Sequence, residues 1–124
     1  MSSTYSKIRA FLAVEVAIFG LASLAHTGIL LRGHDHWKAA TAEGIIAAVL
    51  AAGLLACLMR PSVTRSIGIA AQGFALLGTL VGVLTIAIGI GPQSAADGLL
   101  HIIMLATLFA GLLTALKAGS GAPS

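Results

Sequence analysis

Four histidines and four acidic residues are the side chains of this sequence best suited to chemistry. Asp97 and His101 are four residues apart, so on a helix they share a face and the carboxylate can orient the imidazole. His26 and Glu43 lie on other parts of the chain, and His34-Asp35-His36 forms one short run. This set admits several chemistries. His26 and His101, on different helices, suit the two axial positions of a haem. Histidines mixed with carboxylates, the His34, Asp35 and His36 run included, suit a divalent metal such as zinc, copper or iron. A histidine–carboxylate chain can also relay protons or hydrogen-bond a quinone. None of these residues shows a diagnostic spacing such as HExxH. The same side chains can instead simply cap and pair helices. Glu15 and Gln72 stand apart from this group, each inside an apolar run.

The elements that must position these residues follow from composition. Of 124 residues, 58% are hydrophobic and 9% charged, with a mean hydropathy of +1.04. A soluble domain carries about 25% charged residues, so lipid must replace water around much of this chain. Four apolar stretches stand out, running from about 10 to 31, 39 to 59, 67 to 90 and 98 to 116. Each approaches the roughly 20 residues that cross a bilayer as a helix. They are too long, and alternate too little, for barrel strands. With their polar ends included, the helices are expected over about 8–32, 37–59, 63–90 and 95–117. The expected fold is all-α: a membrane-spanning, up-down four-helix bundle in a single domain, 1–118, with a Gly/Ser/Pro-rich tail over 119–124. A secretory signal is the competing reading of the first stretch, but Glu15 interrupts it and the apolar run continues past the passable cleavage site at 23–25.

The connections are short, which makes consecutive helices antiparallel neighbours. Asp35 and Ser62 are candidate N-caps, with Pro61 as a helix stop. Ser94-Ala95-Ala96-Asp97 matches a capping box, in which Asp97 reaches back to the amide of Ser94. Lys7, Arg9, Arg60, Arg65 and Lys117 fall on one side of the bundle, and Arg32 and Lys38 on the other. That asymmetry places both termini in the cytoplasm of an inner-membrane protein. His26, Glu43, Asp97 and His101 then converge within roughly 10 Å of the outer surface, at 1.5 Å per residue. Glu15 and Gln72 fall at one level nearer the inner face, where they can share a hydrogen bond with Glu15 protonated by desolvation, or bind a proton or cation during transport.

Helices in lipid associate by close backbone approach. Gly73, Gly78 and Gly82 supply it on the third helix, the last two as a GxxxG, and Ala48, Ala52 and Ala56 recur on the second. These small residues serve packing within the chain or a homo-oligomer face. Cys57 is the single cysteine, so no intrachain disulfide is possible. The scattered basic residues make no nucleic-acid footprint.

The strings Ala71-Gln72-Gly73-Phe74-Ala75, Gly78 to Gly82 and Gly89-Ile90-Gly91-Pro92 give the chain a resemblance to short four-span bacterial inner-membrane proteins without assigned function. The resemblance implies a fold and a location, not an activity. Glu15 is similar to the single membrane carboxylate in the first helix of small multidrug-resistance transporters. The aromatic-rich substrate face of those transporters is missing here: Trp37 is the only tryptophan and is read as a loop residue.

No GxSxG, Walker A or GxGxxG motif is present. The expected function is therefore a non-enzymatic accessory or small-ligand-binding subunit with a histidine–carboxylate cluster near the outer face, its partners being the bilayer and either a homo-oligomer or a larger membrane complex. The alternatives are an oligomeric proton- or cation-coupled transporter using Glu15, and a haem- or quinone-binding redox protein using His26 and His101.

Overall fold

The computed structural model describes residues 2–30 and 35–119. It contains four long helices: α1 (Ser2–His26), α2 (Trp37–Met59), α3 (Thr64–Ala87) and α4 (Ala95–Lys117). No strand occurs among the described residues. All four helices are long and apolar enough to cross a bilayer, and the protein is a multi-pass membrane protein of all-α, four-helix-bundle architecture. Each helix packs against the next and α4 closes back onto α1.

The buried positions explain why these helices form a bundle. On α1 they are Ile8, Leu12, Glu15, Phe19, Ala22 and His26; on α4, Asp97, His101, Met104, Leu108, Gly111 and Ala115. Both sets step by alternating threes and fours, the spacing of a helix seam that faces its neighbours continuously. On α2 the seam is Ala40, Glu43, Ile46, Leu50, Gly53 and Cys57. Ala48 and Ala52 lie on the exposed face, so they do not pack α2 within the chain. The outward faces carry large apolar residues such as Leu77 and Ile102, which a bilayer solvates.

The helix ends depart from the sequence expectation at several points. α1 begins at Ser2 and stops at His26, short of 32, because Gly28 takes a left-handed conformation (φ +81°). α3 stops at Ala87 rather than 90. Gly89 is left-handed there (φ +83°), and the amides of Gly89 and Ile90 donate to the carbonyls of Ile86 and Thr85 at 3.1 and 2.9 Å, a Schellman termination. His36, not Asp35, caps α2, its Nδ1 accepting from the amide of Ala39 at 3.1 Å. Trp37 is thus the first residue of α2 and not a loop residue. Ser62 does not cap α3. Pro61–Val63 form a 3₁₀ turn, and α3 starts at Thr64. The capping box at Ser94 and Asp97 is formed with both reciprocal bonds.

Candidate functional site

His26, on the last turn of α1, is the centre of a buried polar knot. Its Nδ1 lies 2.5 Å from Oε1 of Glu43 on α2, and its Nε2 lies 2.8 Å from Oδ1 of Asp97 on α4. One imidazole therefore ties three helices. All three side chains are largely buried, His26 at 2% exposure. Both nitrogens face carboxylate oxygens, so two protons must be shared among the three groups, on the ring or on a carboxyl. The triad then carries a net charge of −1.

Asp97 serves two purposes. Its Oδ1 holds His26, while its Oδ2 accepts from the amide of Ser94 at 3.1 Å and from the Ser94 hydroxyl. The residue that starts α4 therefore also docks it onto α1. His101, one turn later, has its Nδ1 2.8 Å from the carbonyl of Asp97. A carbonyl only accepts, so Nδ1 carries the proton. The Nε2 of the same ring has no hydrogen-bond partner among the described residues.

Beside the knot lies a cavity of about 170 Å³ between α2 and α3. α2 contributes Ala42, Glu43 and Ile46, and α3 contributes Gly78, Thr79, Val81, Gly82 and Thr85. Phe19 and Met104 line it from α1 and α4. Val81 is 61% exposed, so the cavity opens sideways toward the lipid-facing surface. Ile90, Gly91 and Pro92 also line it. His36, whose Nε2 donates to the carbonyl of Ile90 at 3.2 Å, clips this segment to the start of α2. Glu43, His101 and Lys38 are among the polar residues of a mostly apolar wall, and Oε2 of Glu43 is buried without a hydrogen-bond partner.

No family model, curated protein or solved structure matches the chain. The chemistry available must come from the geometry itself.

That geometry brings His26, Glu43, Asp97 and His101 together and turns them inward. It does not favour haem ligation through His26 and His101, because both ring nitrogens of His26 are engaged by carboxylates. Among the described residues, no group of three or more histidine, cysteine or acidic side chains is arranged to hold a metal ion. The side chains of the triad point at one another and not at a common centre. Of the His34, Asp35 and His36 run, His34 lies outside the described residues, and both nitrogens of His36 are engaged.

Glu15 and Gln72 are fully buried and meet at Gly111, where an added Cβ would collide with both. They share no direct hydrogen bond. The Gln72 amide instead donates to the Gly68 carbonyl at 3.0 Å, and Oε1 of Gln72 and both oxygens of Glu15 have no partner. The expected level is right and the expected bond is not formed. Phe19, Leu50 and Leu108, all buried and each about one heptad or less from a polar seam residue, fill the seam between this pair and the His26 knot.

The glycines of α3 divide. A Cβ at Gly78 would meet Ile46, and one at Gly82 would lie 3.3 Å from Nε2 of His101. Their missing side chains both allow close packing and leave the cavity open. Gly73 meets nothing within 4 Å and takes no part in packing within the chain. The cavity wall at Phe19 and the clip made by His36 were not anticipated. A glycine pair one turn apart opposite a histidine seam, and a histidine immediately before a helix start, are the signals that point to them.

Proposed function

We propose that this is a non-enzymatic, small-ligand-binding membrane protein that takes an apolar molecule from the bilayer into the α2–α3 cavity, alone or as the accessory subunit of a larger complex. The observation that carries the reading is the cavity itself: mostly apolar walls, a lateral mouth at Val81, and a few polar groups in its lining, among them Glu43, His101 and Lys38. A pocket with mostly hydrophobic lining and a few convergent polar groups is the usual form of a small-molecule site. The fixed His26 triad supports the reading by holding Glu43 in place. The excess of basic residues beside the termini supports an inner-membrane topology with both termini cytoplasmic, so the cavity opens into the outer leaflet. The resemblance to short four-span bacterial inner-membrane proteins fits this location.

Photoaffinity labelling in lipid nanodiscs with a diazirine-bearing alkylbenzene tests it. Crosslinks are expected to concentrate on Ile46 and Val81. Val81→Trp at the mouth and Gly82→Leu inside should each remove them. Labelling spread evenly over lipid-facing positions such as Ile102 and Leu113, and indifferent to both variants, would defeat the reading.

A second reading, a small oligomeric proton- or cation-coupled transporter, has one observation in its favour: the fully buried Glu15 carboxyl with both oxygens unpartnered. The apolar layer around Phe19 stands against it. Proteoliposome flux that Glu15→Gln leaves unchanged would dispose of it.

A further inference from the structure

The α2–α3 cavity changes character along its length, and that gradient selects a kind of ligand. This inference rests on the cavity being a ligand site. Lys38, in the first turn of α2, lines its outer end. Ile46, about two turns further along the helix, lines its inner end together with Gly78, Phe19 and Met104, all apolar. From Lys38 to Ile46 the helix rises roughly 12 Å. Lys38 is exposed, and among the described residues its ammonium makes no ion pair or hydrogen bond. The acidic residues of this end are turned elsewhere: Glu43 and Asp97 hold His26, and Asp35 lies against Gly28. Trp37, the neighbour of Lys38, is 66% exposed, and a tryptophan on a lipid-facing surface marks the level of the head groups. An uncompensated cation thus stands at head-group depth over an apolar space.

Size and charge narrow the class. A protein cavity of about 150 Å³ with apolar walls accepts a benzene ring, which is roughly six carbon atoms. The volume here is about 170 Å³, so it takes a stretch of one alkyl chain. The lateral mouth at Val81 lets the rest of that chain continue into lipid. One lysine is a single point charge. It balances a monoanion such as a carboxylate and leaves the second charge of a phosphate monoester uncompensated. The net negative charge of the His26 triad lies at Glu43, roughly 7.5 Å of helix rise below Lys38, and keeps an anionic head at the rim. The positive end of the α2 dipole lies at that rim as well. We propose that the α2–α3 cavity binds a single-chain fatty carboxylate, its head paired with the ammonium of Lys38 and its chain lying against Ile46, Gly78 and Phe19.

The test is competition photolabelling of the full-length protein in phosphatidylcholine nanodiscs at about pH 9, where a membrane-bound carboxyl is ionised and lysine keeps its proton. The probe is a diazirine-bearing hexadecanoate. The competitors are hexadecanoate, hexadecanol, hexadecylamine and hexadecyl phosphate, compared at equal mole fraction in the membrane. Labelling of the cavity wall should saturate, and hexadecanoate should displace it about tenfold more effectively than hexadecanol, the worth of one charge-assisted contact. Lys38→Gln should bring the acid down to the level of the alcohol, and Lys38→Arg should keep the preference. Lys38 is exposed, so neither variant disturbs the packed seam. Equal displacement by the acid, the alcohol and the amine would overturn the anionic head and leave an apolar chain site standing. Stronger displacement by hexadecyl phosphate would overturn the carboxylate in favour of a phosphate, and by hexadecylamine in favour of a cation. A preference that survives Lys38→Gln would remove the lysine from the site. Labelling that never saturates and yields to no competitor would remove both this inference and the ligand-binding reading beneath it.

Discussion

Replacing His26 with leucine gives the most direct measure of the buried knot. The substitution removes two contacts at once, 2.5 Å to Glu43 and 2.8 Å to Asp97. Asp97 keeps its bonds to Ser94, but Glu43 is left with no partner on either oxygen. Side-chain hydrogen bonds inside membrane proteins average about 0.6 kcal/mol and reach about 1.7, so two such bonds alone give a loss of roughly 1–3 kcal/mol. Stripping the partner from a buried charge costs about 3–5 kcal/mol. The second effect dominates because Glu43 has no alternative donor, and His26→Leu should lose about 3 kcal/mol. Glu43→Leu in the same background removes the stranded group, so the double variant should be more stable than the sum of the singles implies by at least about 1.5 kcal/mol. Reversible unfolding in mixed micelles, followed by far-ultraviolet circular dichroism, measures all three variants. A loss below about 1 kcal/mol for His26→Leu, or strict additivity in the cycle, would refute the reasoning.

Three other outcomes are expected. Glu15→Gln should leave stability unchanged or raise it by about 1 kcal/mol, because the new amide can donate to the unpartnered Oε1 of Gln72; a loss above about 2 kcal/mol in the same assay would contradict this. Gly111→Ala should cost about 1–3 kcal/mol, since its methyl would strike the Glu15 and Gln72 side chains, whereas Gly73→Ala should be neutral or stabilising by up to about 1 kcal/mol. In a Cys57→Ala background, a membrane-impermeant maleimide applied to intact cells should label Gln93→Cys and spare Ser62→Cys; the reverse pattern would invert the topology.

Much of the fold was legible because lipid leaves so few alternatives. Four runs of apolar residues of the right length can only be helices, and short connections force neighbours to run antiparallel. Asp97 was readable in its capping role because its partner is local, three residues away. Its bond to His26, 71 positions back, was legible only as shared depth. The helix ends were misplaced where one residue decides them: Gly28 and Gly89 terminate helices by left-handed backbone while the apolar pattern runs on past them. Gly73 and Gly78 look alike in sequence, but they lie on different faces of α3 and only Gly78 meets a neighbouring helix. Beyond the glycine pair that marks its wall, the cavity was not legible, because it is the space left between Ile46, Gly78 and Gly82 and belongs to two helices together.

Asp97 also carries a consequence for how the chain assembles. His26 and Glu43 are only 17 residues apart, so the first two helices can clasp as a hairpin while the rest is still being made. Asp97 reaches that clasp only after the third helix has been threaded and the fourth begun. The same carboxylate caps the start of the fourth helix and grips the first, so the two roles share one side chain. A chain interrupted before position 97 keeps the residues of that first clasp but lacks the carboxylate that ties it to the fourth helix.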